Sequence, residues 1–323
     1  MTHERLRALD DDALAAAILA GGVRVAARLM RWIDDRVPRA EAVLRRLHPH
    51  AGRAHIIGLT GNPGAGKSTL GAALVAHWRA QGKKVGVIAV DPSSPFSGGA
   101  LLGDRIRMAE HTLDDSVFIR SVATRGNLGG LSRSTHDLAM VLDAMGYDPI
   151  LIETVGVGQD EVDVVKVAHT TAVVLVPGLG DEIQAIKAGL LEIADVFVVN
   201  KADRDGVERA EKDLRMMQSL GAMHDASAWE PPVVRTVATT RVGVAQLAEA
   251  LEAHRQWEGG SGAESRRLAR ARHLLESLVH DRVGVALEAA LGRAGGETYL
   301  ARLAQRELDP WAEATRLFEA LRG

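Results

Sequence analysis

Gly61-Asn62-Pro63-Gly64-Ala65-Gly66-Lys67-Ser68 fits the phosphate-loop pattern G-x-x-x-x-G-K-[ST] at every fixed position, and its reading decides the fold. Ahead of it, the apolar stretch Ala54 to Thr60 predicts a strand that feeds the loop. Behind it, Leu70 to Trp78 predicts the helix that leaves it. The chemistry rests on that order. Glycines let backbone N–H groups turn inward around phosphate oxygens, and the helix N-terminus adds the positive end of its dipole. Lys67 is then expected to reach the β- and γ-phosphates and Ser68 to ligate Mg²⁺, with Thr69 ending the nucleotide-binding run.

Outward from the loop, short β-branched runs alternate with helical stretches. The runs are Val85 to Val90, Val117 to Ile119, Pro149 to Ile152, Thr171 to Val176 and Val196 to Val199. Continuous apolar strands separated by helices predict an α/β fold with a mostly parallel sheet covered on both faces. Before the sheet, Leu9 to His48 reads as helical: Val25, Leu29 and Ile33 recur every four residues, and Val43, Leu44 and Leu47 resume the stripe after Pro38. After it, Glu258-Gly259-Gly260-Ser261-Gly262 reads as a linker. Leu275, Val279, Val283, Leu287 and Leu291 then mark a helix, and Tyr299 to Leu321 supports one or two more. The expected domains are a helical extension over 1–50, the phosphate-loop domain over 51–258 and a helical arm over 259–323.

Composition narrows the classes. The chain has 323 residues, 25% charged, with a formal net charge of -3, so no global attraction to nucleic acid or membrane is expected. It contains no cysteine, which removes disulfides, thiolate metal sites and a cysteine nucleophile and fits a cytoplasmic protein. No segment approaches the roughly 18 apolar residues of a membrane span. The N-terminal Met-Thr-His-Glu-Arg-Leu-Arg-Ala lacks the apolar core of a signal peptide.

The base is chosen further along. Asn200-Lys201-Ala202-Asp203 follows the strand Val196 to Val199 and matches the guanine-recognition pattern N-K-x-D. Guanine offers N1–H and its 2-amino group as two donors, and the Asp203 carboxylate accepts both; adenine would turn an acceptor toward it. Sites built this way reject the analogue lacking the group by about 10⁴–10⁵. Asn200 is expected to tie the loop together and the Lys201 stem to cover the base plane. The guanine O6 is expected to meet backbone N–H groups of Val237, Ala238 and Thr239, where a Ser-Ala-x segment is usual and this chain has Thr236-Val237-Ala238-Thr239.

Mg²⁺ needs oxygen ligands beside the phosphates. Asp91, Asp104 and Glu153 are the candidates, and which of them ligate the ion directly stays open. Glu153 and Gly156 occupy a D-x-x-G-like element, the acid near metal-bound water and the glycine N–H near the γ-phosphate. Carboxylates gathered this closely make sense around a cation. Gln159 is the candidate for orienting water, and Lys67, Glu153, Gln159 and Asp104 form the expected catalytic set. Arg105, Arg107 and Arg125 are open to an arginine-finger role, and none stands out, so slow turnover raised by a partner is expected.

The segments Gly61 to Thr69, Asp91 to Pro95, Gly98 to Arg105, Glu153 to Gln159 and Asn200 to Asp203 together resemble the methylmalonyl-CoA mutase accessory GTPases, from about residue 15 to 290. The resemblance implies a homodimeric G-protein chaperone that binds an adenosylcobalamin-dependent acyl-CoA mutase, gates cofactor loading, and protects or reactivates the mutase. It implies GTP as substrate, GDP as product, a C-terminal dimerisation arm, and a further switch over Pro177 to Lys187. The chain has no D-x-H-x-x-G cobalamin pattern, so cobalamin is expected on the partner. Which acyl-CoA mutase is the client is not written in these residues.

Two other readings share the phosphate loop. A GTP-driven metallochaperone needs Cys/His clusters, whereas the 12 histidines are scattered and only His48 and His50 lie close. A small-molecule or protein kinase would usually accept ATP, against Asn200-Lys201-Ala202-Asp203.

Overall fold

The computed structural model describes residues 9–92, 114–124, 130–154, 166–178, 193–221, 229–260 and 264–322. It divides into two compact units, 1–268 and 269–323.

The first unit opens with helices α1 (Asp11–Leu19), α2 (Val23–Asp34) and α3 (Arg39–Leu47). Asp10 caps α1, its carboxylate accepting the Ala13 N–H at 2.7 Å. The four-residue stripe does what its period predicts: Val25, Leu29 and Ile33 of α2 are buried, as are Val43, Leu44 and Leu47 of α3. Arg39 fixes the group, donating to Asp11 at 2.7 Å and lying over the Trp32 ring at 5.4 Å.

Among the described residues the sheet has seven strands, β1 (Ile56–Gly61), β2 (Val85–Pro92), β3 (Val117–Thr124), β4 (Ile150–Thr154), β5 (Thr170–Leu175), β6 (Val196–Asn200) and β7 (Val233–Thr236). They lie in the order β3-β2-β4-β1-β5-β6-β7, parallel throughout. Helices α4 (Lys67–Ala80), α5 (Gly130–Ala144), α6 (Val207–Gly221) and α7 (Val244–Gly259) connect them. Strand side chains alternate between the faces. On one face Ile56, Ile88, Ile150 and Ile152 pack with α1–α3 and α5, and Val173 and Phe197 with α6; on the other Ile57, Leu59, Leu151 and Val198 pack with α4 and α7. Burying each such side chain contributes roughly 1.5–3 kcal/mol. The helical preface thus shares the sheet's core. Its junction is closed by the Asp143 carboxylate, which accepts backbone N–H groups from Gly52, Arg53 and Ala54.

Two features differ from the sequence reading. β7 is an added strand of four residues, mostly half-buried at the sheet edge, too short and too weakly alternating to stand out after Pro231-Pro232. Glu258 and Gly259, read as linker, continue α7, and Gly260 caps it. Arg267 explains the extension, because its guanidinium donates to the Glu258 and Gly260 carbonyls, the latter at 3.1 Å.

Helix α8 (Glu264–Arg293) begins in the first unit and runs into the second, which also contains α9 (Gly296–Ala304) and α10 (Pro310–Arg322). Tyr299 joins the two short helices, its hydroxyl donating to Glu313 at 2.6 Å while Arg316 lies over its ring at 5.7 Å. Leu275, Val279 and Val283 form an exposed stripe on α8, and Trp311 and Phe318 are exposed on α10. Among the described residues no helix is long and apolar enough to cross a membrane.

Candidate nucleotide site

Because the strands are parallel, the carboxyl ends of β1, β4, β6 and β7 meet at one edge of the sheet, where ligands of open α/β folds bind. The phosphate loop leaves β1 there. Gly61 takes φ 135°, and a Cβ on it would lie 2.1 Å from the Val174 carbonyl oxygen, so only glycine fits. Gly64 and Gly66 also have positive φ, turning the loop over the N-terminus of α4. Lys67, the first residue of that helix, is buried and folds back, donating to the carbonyls of Gly61 at 2.6 Å and Asn62 at 3.0 Å. Those contacts hold the ammonium at the centre of the loop, where a phosphate would gather it.

Ser68 and Glu153 meet across the sheet. Glu153 stands in β4, whose register pairs it with Leu59 of β1 and Ala89 of β2, and its buried carboxylate accepts the Ser68 hydroxyl proton. Beside them Thr154 donates to Thr60 at 3.2 Å, a buried pair joining the ends of β4 and β1. Sequence reasoning did not single out these threonines, since a strand-end threonine carries no motif. A serine hydroxyl and a carboxylate are the hard oxygen donors Mg²⁺ takes, so the residues present fit the ion. Asp91 lies at the end of β2, one residue beyond the Val90–Thr154 register pair, so its backbone reaches the same edge. Asp104, Gly156, Gln159, Arg105, Arg107, Arg125 and the stretch from Leu179 to Lys187 lie outside the described residues.

The base motif is bolted to the phosphate loop. The buried amide of Asn200 donates to the Ala65 carbonyl at 2.8 Å, and Lys201 donates to the Gly64 carbonyl at 2.8 Å. The amide oxygen of Asn200 turns the other way and accepts from the Thr236 hydroxyl at 3.1 Å and the Ala238 N–H at 3.2 Å. One side chain therefore sets the phosphate loop, the base motif and the Val237-Ala238-Thr239 loop against each other. Thr236 was quoted in the sequence only as part of the O6 segment and given no role of its own, because its contact with Asn200 depends on β7 lying next to β6. Lys201 has φ 57°, a left-handed backbone that a non-glycine residue adopts at some cost. Asp203 follows, exposed to solvent.

Comparison with known proteins gives one consistent result. The family described as "Methylmalonyl Co-A mutase-associated GTPase MeaB" matches residues 26–291. A protein carried under a GTPase name in Pyrococcus abyssi is 45% identical over 314 residues, covering 97% of each chain. "GTPase ArgK" of Escherichia coli is 38% identical over 233 residues, 70% of each chain. The crystal structure of a protein named "LAO/AO transport system kinase" superposes with a TM-score of 0.69 at 26% identity, covering 100% of this chain and 99% of that one.

Proposed function

Because the chain belongs to the MeaB family of methylmalonyl-CoA mutase-associated GTPases and is a GTPase, we propose that it serves as a nucleotide-operated chaperone of an adenosylcobalamin-dependent acyl-CoA mutase. It gates cofactor loading and protects or reactivates the mutase, and the cobalamin belongs to the partner. The family description supports the partner, as does a mouse relative named "Methylmalonic aciduria type A homolog, mitochondrial", 41% identical over 193 residues, 59% of this chain and 46% of that one.

The observation that carries the nucleotide chemistry is Asn200 joined to the phosphate loop on one side and to Ala238 on the other. Base and phosphates then bind one connected frame. Asp203 accepts the two guanine donors, Val237 to Thr239 present N–H groups to O6, and Lys67 turns from its own loop carbonyls to the β/γ-phosphate oxygens. Ser68 and Glu153 would hold Mg²⁺, with Asp91 and Asp104 as further ligands or water anchors; when bound, the ion neutralises charge on the phosphates. Glu153 aligns water near the γ-phosphate, Gln159 orients the attacking one, and Gly156 offers its N–H to the γ-phosphate. Turnover is slow until the partner completes the charge compensation, and Pro177 to Lys187 reports the nucleotide state.

The second unit supports a homodimer. Its helices bury few side chains, whereas Leu275, Val279, Val283, Trp311 and Phe318 stay exposed and would be covered by the same surface of a second copy.

Co-purification from the native cell, with GDP and separately with a non-hydrolysable GTP analogue, tests the chaperone reading. Nucleotide-dependent retention of a cobalamin-dependent acyl-CoA mutase, identified by mass spectrometry, is the expected result. Retention of a nickel enzyme, or of no mutase under either nucleotide, overturns it.

A further inference from the structure

At the opposite edge of the sheet a second buried polar cluster takes no part in the nucleotide chemistry. His55 immediately precedes β1, Thr170 opens β5 and Asp195 immediately precedes β6, so parallel pairing collects all three where the strands begin. His254 reaches them from α7 and Arg266 from the first turn of α8. The contacts form a chain. His55 Nε2 lies 2.7 Å from Thr170 Oγ1, which lies 2.7 Å from His254 Nδ1. Arg266 forks across the far side, Nη1 at 2.9 Å from His254 Nε2 and Nη2 at 2.7 Å from Asp195 Oδ1. The other Asp195 oxygen accepts the Thr171 N–H at 2.8 Å.

Counting donors assigns the protons. A guanidinium only donates, so in the arrangement where Arg266 bonds it, His254 Nε2 accepts and the imidazole's single proton sits on Nδ1. That proton goes to Thr170, whose hydroxyl then donates to His55 Nε2. In that arrangement every contact in the chain is satisfied. Burial above all, aided by the charges of Arg255 and Lys83, holds His55 neutral by depressing its pKa to about 2. His254 Nε2 also lies 3.3 Å from Asp195 Oδ1. A proton added there converts the acceptor into a donor, aims it at Asp195 and sets it against the Arg266 N–H.

We propose that this cluster is a proton-operated latch on the root of α8. With His254 neutral, Arg266 bridges it to Asp195 and pins the first turn of α8 to the sheet; with His254 protonated, the imidazolium takes Asp195 and Arg266 is expelled. The titratable and charged groups facing His254 are Asp195 ahead of β6, Arg266 on α8 and, across Thr170, His55 at the start of β1. Trp229 and Trp257 flank the imidazole with ring centroids at 4.9 and 5.4 Å, and Trp229 donates to the Asp195 carbonyl at 2.7 Å, so water has little access to the neutral state. β6 begins at this latch and ends at Asn200, which places the latch and the base motif on one strand.

Hydrogen–deuterium exchange of residues 268–271, whose amides bond the first-turn carbonyls of α8, in the full chain with GDP, compared at about pH 5.5 and about pH 7.5 and corrected for intrinsic exchange, tests the latch. Wild type is expected to exchange about tenfold faster at the lower pH. His254→Gln keeps an acceptor for Arg266 and a donor for Thr170 without a titrating group, and is expected to stay slow at both. Arg266→Gln removes the pin and is expected to be fast at both. A wild-type rate that does not change with pH, or a pH response that survives in either variant, overturns the proposal, and Arg266→Gln decides the matter should His254→Gln not fold.

Discussion

Asp203 stands exposed to solvent after Lys201-Ala202, with no ion pair or hydrogen bond to any described residue. Its carboxylate therefore meets a ligand without first breaking a contact to a described residue. Asp203→Asn replaces one acceptor oxygen by a donor, which suits xanthine, whose C2 carries an oxygen. Competition binding is expected to show guanine preference over xanthine falling by about 10² or more, and unchanged selectivity would remove Asp203 from the base site. Glu153 is the contrasting residue, buried at the end of β4 and accepting from Ser68. Glu153→Gln keeps the shape and loses the charge. Single-turnover and titration experiments are expected to show Mg²⁺-dependent hydrolysis reduced by about 10² while GDP affinity changes by less than about tenfold. Equal losses in both would assign Glu153 to nucleotide binding alone.

At the scale of the element, the turn into α7 shows how backbone conformation positions a site. Gly243 sits at the N-cap of α7 with φ 79°, and a Cβ there would come 1.9 Å from the Arg235 carbonyl oxygen on β7. That close approach sets the Val237-Ala238-Thr239 loop beneath Asn200. Gly52 also has a positive φ, 95°, but has nothing within 4 Å of its Cβ position. The pair separates conformational cost from collision. Gly52→Ala is expected to cost about 1–2 kcal/mol, the left-handed penalty alone. Gly243→Ala is expected to exceed that by at least about 1 kcal/mol, read in denaturant melts, and to weaken GDP binding as well. Equal costs would mean that the turn relaxes freely. The phosphate-loop strand, helix and fixed residues were legible because each is a local pattern. β7 and the helical end of α7 were not, because edge pairing with β6 stabilises the one and the Arg267 contacts extend the other.

For the whole molecule, acid stability follows from groups gathered at the strand starts. His55 stays neutral when folded, with its pKa lowered to about 2 by burial first and by surrounding positive charge second. Unfolded, it takes up a proton below about pH 6.5. Below that pH the unfolded chain binds the extra proton, so the contribution of His55 is complete above about pH 6.5 and is lost as pH falls toward about 2. The slope is about 1.4 kcal/mol per pH unit for one proton. Denaturation between about pH 6 and about pH 4.5 is expected to show that slope reduced by one proton in His55→Gln, and an unchanged slope would mean that His55 charges inside the fold. None of this was visible in the chain order, where His55, Thr170, Asp195, His254 and Arg266 belong to no motif and stand far apart. The sequence by itself determined the parallel α/β class, the phosphate loop and the guanine motif, because each depends on neighbours a few residues away. Only the tertiary structure decided that the helical preface shares the sheet's core, that Thr236 braces Asn200, and that two histidines close on one threonine with an Asp–Arg pair against the second, because those contacts depend on which strands lie side by side.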